Sequence, residues 1–258
     1  MSVLSFGTNE YMTFMMIALR MSGMIFFNPI FGRKGIPNMV KISMALGLAW
    51  AAFSTISFTD FTDFGTLSLM FAMTKEVMVG FVMGFTVTLF LAVFHIGGNV
   101  MDLQIGLGMA TLYDPASQSQ ISWAGNITTI LFSLLFFITN SHIRLLGIAA
   151  QSFYIVPLGD RMMQPAAAIY IVELFSQILA FAIQLALPII VTQIVVEVAV
   201  GILMRMVPQI NVFVINLQVK LGVGMLVIIT ILPSLVKYIE KLNEVMLDRV
   251  HAGMMVFL

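Results

Sequence analysis

Four ionisable side chains lie inside long apolar stretches of this sequence: Arg20, Glu76, Glu197 and Arg205. A charge at membrane depth costs roughly 2.5 to 3.5 kcal/mol on insertion scales, so each needs a partner, a cavity or a function. Because Glu76 follows Lys75 at the start of its predicted helix, we expect it to lie at headgroup level without a partner. Glu197 and Arg205 are about two helical turns apart, too far for a direct pair, so we expect their partners on other helices or subunits.

Residue patterns for catalysis are absent from the sequence. The histidines are scattered, cysteine is missing, and no HExxH or EF-hand pattern suggests a metal site. Neither a phosphate-cradling GxxxxGKS/T motif nor a nucleophile-elbow GxSxG motif occurs. The sequence therefore predicts that the protein is not an enzyme and holds no metal or cofactor.

Small residues recur every four positions in two parts of the chain. Gly80 and Gly84 form a GxxxG step, which permits close helix contact in lipid. Further along, we expect one helix to carry a ridge of small and acidic residues and to end at Pro115. The residues of this ridge are Gly98, Asp102, Gly106, Ala110 and Asp114.

The stretch from Ala116 to Ser122 is polar but uncharged, which indicates a loop beside protein or water. It fits an ordinary surface turn. It equally fits a movable segment that is hinged by Gly106, Gly108 and Pro115 and lines a pathway. The residues alone do not decide between these two interpretations.

The elements that position these residues are apolar helices. Of 258 residues, 60% are hydrophobic and 9% charged, whereas soluble domains carry about a quarter charged residues. Lys and Arg balance Asp and Glu at 12 each, which argues against a nucleic-acid partner. Six regions reach the roughly 20 apolar residues of a membrane helix: Tyr11–Phe31, Asn38–Phe58, Leu69–Ile96, Trp123–Thr139, Ala166–Met204 and Leu217–Val236.

We therefore predict an all-α fold of six to seven long apolar helices, arranged as hydrophobic hairpins in a single domain. Pro188 interrupts the fifth region, which we expect to be a kinked helix or a hairpin of two helices. The tail from Lys237 to Leu258 has the pattern of an interfacial amphipathic helix.

Basic residues give a conflicting orientation for these helices. Arg33, Lys34 and Lys41 place the first loop inside, and the acidic loop from Thr59 to Thr74 then falls outside. The alternation fails afterwards, because the loop from Gly97 to Ser122 has no basic residue. Either some apolar helices do not cross the membrane, or two form a re-entrant hairpin covered by protein.

Several motifs, taken in order and spacing along nearly the whole chain, resemble the FliR family. This family is the inner-membrane export-gate component of bacterial flagellar and related type III secretion systems, and includes SctT-like proteins. Ser141 stands where the family pattern leads us to expect glycine. The matching motifs are Arg20-x-x-Gly23, Pro29, Ile36-Pro37, Lys75-Glu76-x-x-x-Gly80-x-x-x-Gly84-Phe85, the ridge from Gly98 to Asp114-Pro115, Asn140-x-His142, Pro157-x-Gly159, Leu187-Pro188, and Glu197-x-x-x-Gly201-x-x-x-Arg205-x-x-Pro208-Gln209-x-Asn211-Val212-Phe213.

The resemblance implies a structural subunit that assembles with FliP-like, FliQ-like and FlhB-like subunits around a closed channel for unfolded export substrates. Residues 1–160 would correspond to a FliP-like part, and residues 161–258 to a FliQ-like hairpin with the amphipathic tail. The location would be the bacterial inner membrane, in a flagellar basal body or injectisome base. Much of the assembly would lie above the membrane plane, in contact with lipid at its base.

The resemblance also assigns roles to residues. A loop from Gly106 to Ser122 would plug the channel, with Gly106, Leu107, Gly108, Met109, Ala110, Tyr113, Asp114 and Pro115 as the plug residues. Packing between subunits would rest on Arg20, Glu76, Gly80, Gly84, Gly98, Asp102, Glu197, Gly201, Arg205, Pro208 and Gln209. The alternative function is a small secondary transporter or ion-channel subunit with a polar pathway through Glu76, Glu197 and Arg205.

Overall fold

The computed structural model describes residues 7–56, 64–108, 122–159, 166–207 and 212–257. These residues form seven helices and no strand, which confirms the predicted all-α fold class. The helices are α1 (Thr8–Phe26), α2 (Asn38–Phe53), α3 (Thr66–Ile105), α4 (Trp123–Ile138), α5 (Ser141–Ile155), α6 (Ala166–Met206) and α7 (Val212–Met255).

The chain divides into two compact units. The first contains the described parts of Met1–Leu89, Thr139–Leu174 and Glu244–Leu258. Its helices α1 and α3 approach closely at glycines, because a Cβ on Gly80 would lie 2.1 Å from the Arg20 carbonyl oxygen. A Cβ on Gly84 would lie 2.6 Å from the Met24 carbonyl oxygen. The GxxxG step therefore brings two helices of the same chain together.

The second unit contains the described parts of Phe90–Ile138 and Phe175–Asn243. Within it, α6 and α7 run antiparallel. The Tyr238 hydroxyl donates a hydrogen bond to the Phe181 carbonyl oxygen at 3.0 Å, and Gln193 Nε2 donates to the Lys220 carbonyl oxygen at 3.0 Å. Phe181, the earlier residue on α6, pairs with the later residue on α7, and Gln193 pairs with the earlier one. The two helices therefore run in opposite directions, as in a hairpin.

Two prolines lie inside continuous helices. Pro188 lies within α6 and Pro233 within α7, so the two-helix hairpin that we allowed for the fifth apolar region is wrong. A proline removes one backbone hydrogen bond, but in apolar surroundings the remaining bonds have no competing water, and proline is tolerated.

Two other boundaries differ from the sequence predictions. The helix that carries the small-residue ridge ends at Ile105, ten residues before Pro115, because Gly106 adopts a positive φ of 92°. The tail after Lys237 is helical, but it continues α7 and is not a separate helix. Its buried residues follow one face, as an amphipathic pattern requires: Ile239, Leu242, Met246, Val250 and Met254.

Helix α5 was not among the predicted apolar helices. It follows α4 after a bend of 69°, at Asn140, which has a positive φ of 56°. Among the helices that the structure describes, α3, α6 and α7 are long and apolar enough to cross a membrane, and the bent α4–α5 pair would be a fourth span if it counts as one. In the most apolar 18-residue stretch of α6 only 33% is buried, and in that of α7 only 6%. Both helices therefore need lipid or another protein around them.

Glycine positions in these helices give a matched test of packing. We expect Gly80→Ala to lower the melting temperature of the detergent-solubilised chain, because the new Cβ meets backbone and overpacking costs about 1–3 kcal/mol. Gly201→Ala is the control, since nothing lies within 4 Å of its Cβ position. There the better helix propensity of alanine, about 1 kcal/mol, should leave the melting temperature unchanged or higher. Equal effects of the two substitutions would contradict the close approach of α1 and α3.

Candidate functional site

Arg20 is the centre of a buried polar cluster in the first unit. Its Nε donates to Glu76 Oε2 at 2.6 Å, and its Nη2 donates to the Val156 carbonyl oxygen at 2.9 Å. Its Nη1 reaches the carbonyl oxygen and the hydroxyl of Ser152 at 2.8 and 3.2 Å. The guanidinium carbon also lies 4.4 Å from the centre of the Phe153 ring. Each guanidinium nitrogen thus has an acceptor, as a buried charge requires.

The position of Glu76 corrects the sequence expectation. The side chain is buried and paired with Arg20, so the prediction that this carboxylate has no partner is wrong, while its depth in the membrane stays a prediction. The reason is that Gly80, one turn after Glu76, lets α1 approach α3 closely, which brings the Arg20 side chain to the carboxylate. Lys75 is buried as well.

The Arg20 cluster also completes the end of α5. The carbonyl oxygens at the end of a helix have no partner within the helix and need donors from elsewhere. Ser152 lies in the last turn of α5, Val156 directly follows it, and Pro157 supplies no N–H. Arg20 therefore joins α1 and α3 to the end of α5.

In the second unit, Asp102 binds both flanks of the segment 109–121. Its carboxylate accepts hydrogen bonds from the Ser122 hydroxyl at 2.7 Å and from the Ala124 N–H at 3.2 Å. Its carbonyl oxygen accepts from the Gly106 N–H at 3.1 Å and the Gly108 N–H at 3.3 Å. One residue thus fixes the end of α3 and the start of α4, and we call this arrangement the Asp102 clasp.

Small residues make the clasp geometrically possible. A Cβ on Gly98 would lie 2.1 Å from the Cα of Gly125, so α3 and α4 cross at a pair of glycines one turn before Asp102. The Ser122 hydroxyl, which donates to Asp102, accepts the Gly125 N–H at 2.8 Å and so caps α4. A Cβ on Gly106 would lie 3.0 Å from Leu217 Cδ1, and its positive φ favours glycine.

The predicted plug residues lie on both sides of the described boundary. Gly106, Leu107 and Gly108 form the turn that follows α3. Met109, Ala110, Tyr113, Asp114 and Pro115 lie outside the described residues. Their assignment to a plug remains a prediction from the resemblance.

A second ion pair joins α6 to α7. Lys220 Nζ pairs with Glu197 Oε1, which confirms that Glu197 has its partner on another helix. Lys220 was missed, although it too is a charge inside an apolar region and the same criterion would have found it. Arg205 and Gly201 are exposed, and Pro208 and Gln209 lie outside the part of the chain that the structure describes.

The predicted polar residues are therefore distributed between separate structural contacts. Glu76 forms an ion pair with Arg20, and Glu197 forms one with Lys220. Asp102 is hydrogen-bonded to the residues on both sides of segment 109–121. Within the described ranges, no three residues of metal-ligating type come together. The arrangement positions helices and one loop.

Comparison with known proteins identifies relatives along nearly the full length. The model of a family described as bacterial export proteins, family 1, matches residues 11–246. The flagellar biosynthetic protein FliR of Escherichia coli (strain K12) is 29% identical over 87% of this chain and 85% of that protein. The protein of the same name from Bacillus subtilis (strain 168) is 28% identical over 84% of each chain. The Yop proteins translocation protein T of Yersinia pestis is 24% identical over 81% of each chain.

The Asp102 clasp can be tested by substitution at its centre. We expect Asp102→Ala to reduce the free energy of unfolding by about 1–3 kcal/mol, since the buried Ala124 N–H and the half-buried Ser122 hydroxyl lose their acceptor. Hydrogen exchange at the Ala124 and Gly125 amides should become faster. Asp102→Asn is the matched control, because it keeps one carbonyl oxygen and should have a smaller effect. If the alanine variant exchanges like the parent at both amides, the carboxylate does not hold the start of α4.

Proposed function

The chain belongs to the bacterial export proteins of family 1, and from this premise we propose that it is a structural, non-enzymatic subunit of a membrane-bound protein-export apparatus. The observation that carries the proposal is the family match over residues 11–246, which includes parts of all seven helices. The names of its relatives, a flagellar biosynthetic protein and a translocation protein, support the same function.

Partner subunits are favoured by the length of the exposed apolar surface on α6. Large apolar side chains are exposed in every turn from Phe175 to Met206, a stripe about 46 Å long at 1.5 Å per residue. The hydrocarbon core of a bilayer is about 30 Å thick, and membrane helices tilt by at most about 40°. Even at that tilt the stripe spans about 36 Å along the membrane normal. An unperturbed hydrocarbon core does not cover it all, so we propose that protein covers the rest.

The covering proteins that we propose are FliP-like, FliQ-like and FlhB-like subunits, in the bacterial inner membrane at a flagellar basal body or injectisome base. The antiparallel α6–α7 hairpin of the second unit supports a FliQ-like role for this part of the chain. The enclosed channel would carry unfolded export substrates.

We propose further that the segment from Gly106 to Ser122 closes this channel. Support comes from the Asp102 clasp, which holds the residues directly before and after segment 109–121. A segment that closes a channel must be anchored at its base against the moving substrate. Hydrogen bonds to a charged acceptor, each worth roughly 1.5–3 kcal/mol, suit that purpose.

A transporter or ion-channel function has no comparable support. It requires accessible charges at Glu76, Glu197 and Arg205. Glu197 and Arg205 are accessible, but Glu76 is buried against Arg20, whose nitrogens all have acceptors, so one of the three charges is withdrawn from any pathway. Breaking a buried pair costs about 3–5 kcal/mol, so Glu76 is poorly suited to exchange protons or ions.

The partner proposal can be tested by photo-cross-linking along α6. A photoreactive residue placed at Phe175 or at Ile202 samples two points about 40 Å apart on the exposed stripe. In native membranes we expect at least one of them to form an adduct with a different, smaller hydrophobic protein, and mild-detergent purification to give a mass above that of one chain. The buried position Ile189 is the control and should give no adduct. A lone monomer without adducts at either site would overturn the proposal.

The plug proposal calls for a separate variant. We expect replacement of residues 109–121 by a short Gly-Ser linker, with Asp102 and Ser122 retained, to leave assembly intact but to make cells leak ions. The measurement is membrane potential in cells that carry the assembled complex. The matched control carries the same Gly-Ser linker with native residues 109–121 restored beside it. Cells with this control should not leak ions. An assembled variant without leakage would refute the plug role and leave the subunit role standing.

A further inference from the structure

Helix α2 is arranged with its small residues inside and its large residues outside. The buried face carries Ala45, Ala49 and Ala52, and Lys41 is buried one turn before Ala45. Large apolar side chains are exposed on the rest of the helix, at Met39, Val40, Ile42, Leu46 and Trp50. An exposed apolar face of this kind requires apolar surroundings. At 16 residues, or about 24 Å, α2 is shorter than the hydrocarbon core, which is about 30 Å thick.

An apolar groove runs between α1 and α2 in the first unit. Its volume is about 300 Å³, and its walls include Phe14, Ala18, Leu19, Phe26, Ile42 and Leu46. Phe26 ends α1 and Ile42 lies in the first turns of α2, so this end of the groove adjoins the connection between the helices. At the other end, the Phe14 ring lies 6.2 Å from Trp50 and 5.8 Å from Phe53, between ring centres.

The connection between the two helices is cationic. Arg33 and Lys34 are exposed within it, and the Lys41 ammonium is brought to it by a 2.9 Å hydrogen bond to the Gly32 carbonyl oxygen. No acidic residue occurs between Glu10 and Asp60 in the sequence. The positive charge at this end of the groove is therefore not neutralised by its own part of the chain.

We propose that the α1–α2 hairpin is a binding site for one anionic phospholipid of the surrounding bilayer. An acyl chain lies in the apolar groove, and the headgroup phosphate lies against Arg33 and Lys34. Charge complementarity selects an anionic headgroup, since a Lys or Arg near an anionic surface contributes a free energy equivalent to roughly fivefold in affinity. The site is independent of the plug and of the partner subunits proposed above.

Trp50 reports directly on this site. The chain has two tryptophans, so Trp123→Phe leaves Trp50, which is 58% exposed, as the single indole fluorophore. The full chain is reconstituted in vesicles of phosphatidylcholine and phosphatidylglycerol, in which one lipid or the other carries bromine on its acyl chains at equal mole fraction. We expect brominated phosphatidylglycerol to quench Trp50 at an apparent affinity about fivefold or more higher than brominated phosphatidylcholine.

Two charge variants separate a specific site from general lipid contact. Arg33→Gln with Lys34→Gln should remove the preference for phosphatidylglycerol. Lys237→Gln with Lys241→Gln removes two exposed cations elsewhere and should retain it. Equal quenching by both lipids in the parent chain would overturn the proposal in favour of general lipid contact.

The same measurement on the complex purified with its partners identifies any protein occupant. Retained quenching by phosphatidylglycerol supports the lipid site in the assembled state. Loss of quenching there, or in vesicles at a chain density that produces dimers, shows that a partner subunit or a second copy covers α2 and overturns the proposal.

Discussion

The buried ion pair between Arg20 and Glu76 is the interaction on which the packing of α1, α3 and α5 in the first unit depends. Two charges inside an apolar protein are stable only when their geometry and remaining hydrogen bonds are complete. That requirement fixes the distance between α1 and α3, because the 2.6 Å contact leaves no freedom for the helices to separate. Gly80 and Gly84 make this short distance possible, since any larger side chain would hold the two backbones apart.

The second unit relies on the same combination of glycine and charge. Gly98 and Gly125 let α3 and α4 touch, and the Asp102 carboxylate then reaches the N–H groups at the start of α4. In both units a small residue lies one helical turn from a charged residue on the same helix, Gly80 after Glu76 and Gly98 before Asp102. The close approach of backbones is what lets short acidic side chains find partners in surroundings without water.

Much of the fold follows from the sequence because apolar run length is a strong signal in a chain with so few charges. The all-α class and the partner of Glu197 on another helix were predicted correctly. Helix α5 was missed because Arg144 and Gln151 make it less apolar than its neighbours. The pairing of Glu76 was missed because its partner, Arg20, is 56 residues away in the sequence and lies on another helix. Asp102 was singled out as an acidic residue of the ridge, but its contacts were not predicted, since its donor Ser122 is 20 residues away in the sequence.

The Asp102 clasp has a consequence for how this chain can change over evolution. Asp102 holds both flanks of residues 109–121, one through its carbonyl oxygen and the other through its carboxylate. The fold of the helices that bear these flanks therefore depends little on the residues in between. Loop-closure entropy rises slowly with length, by about 0.6 kcal/mol for each doubling. Insertions, deletions and exchanges within that stretch should therefore leave the fold of α3 and α4 intact, so its length and composition can vary without cost to the helices on either side.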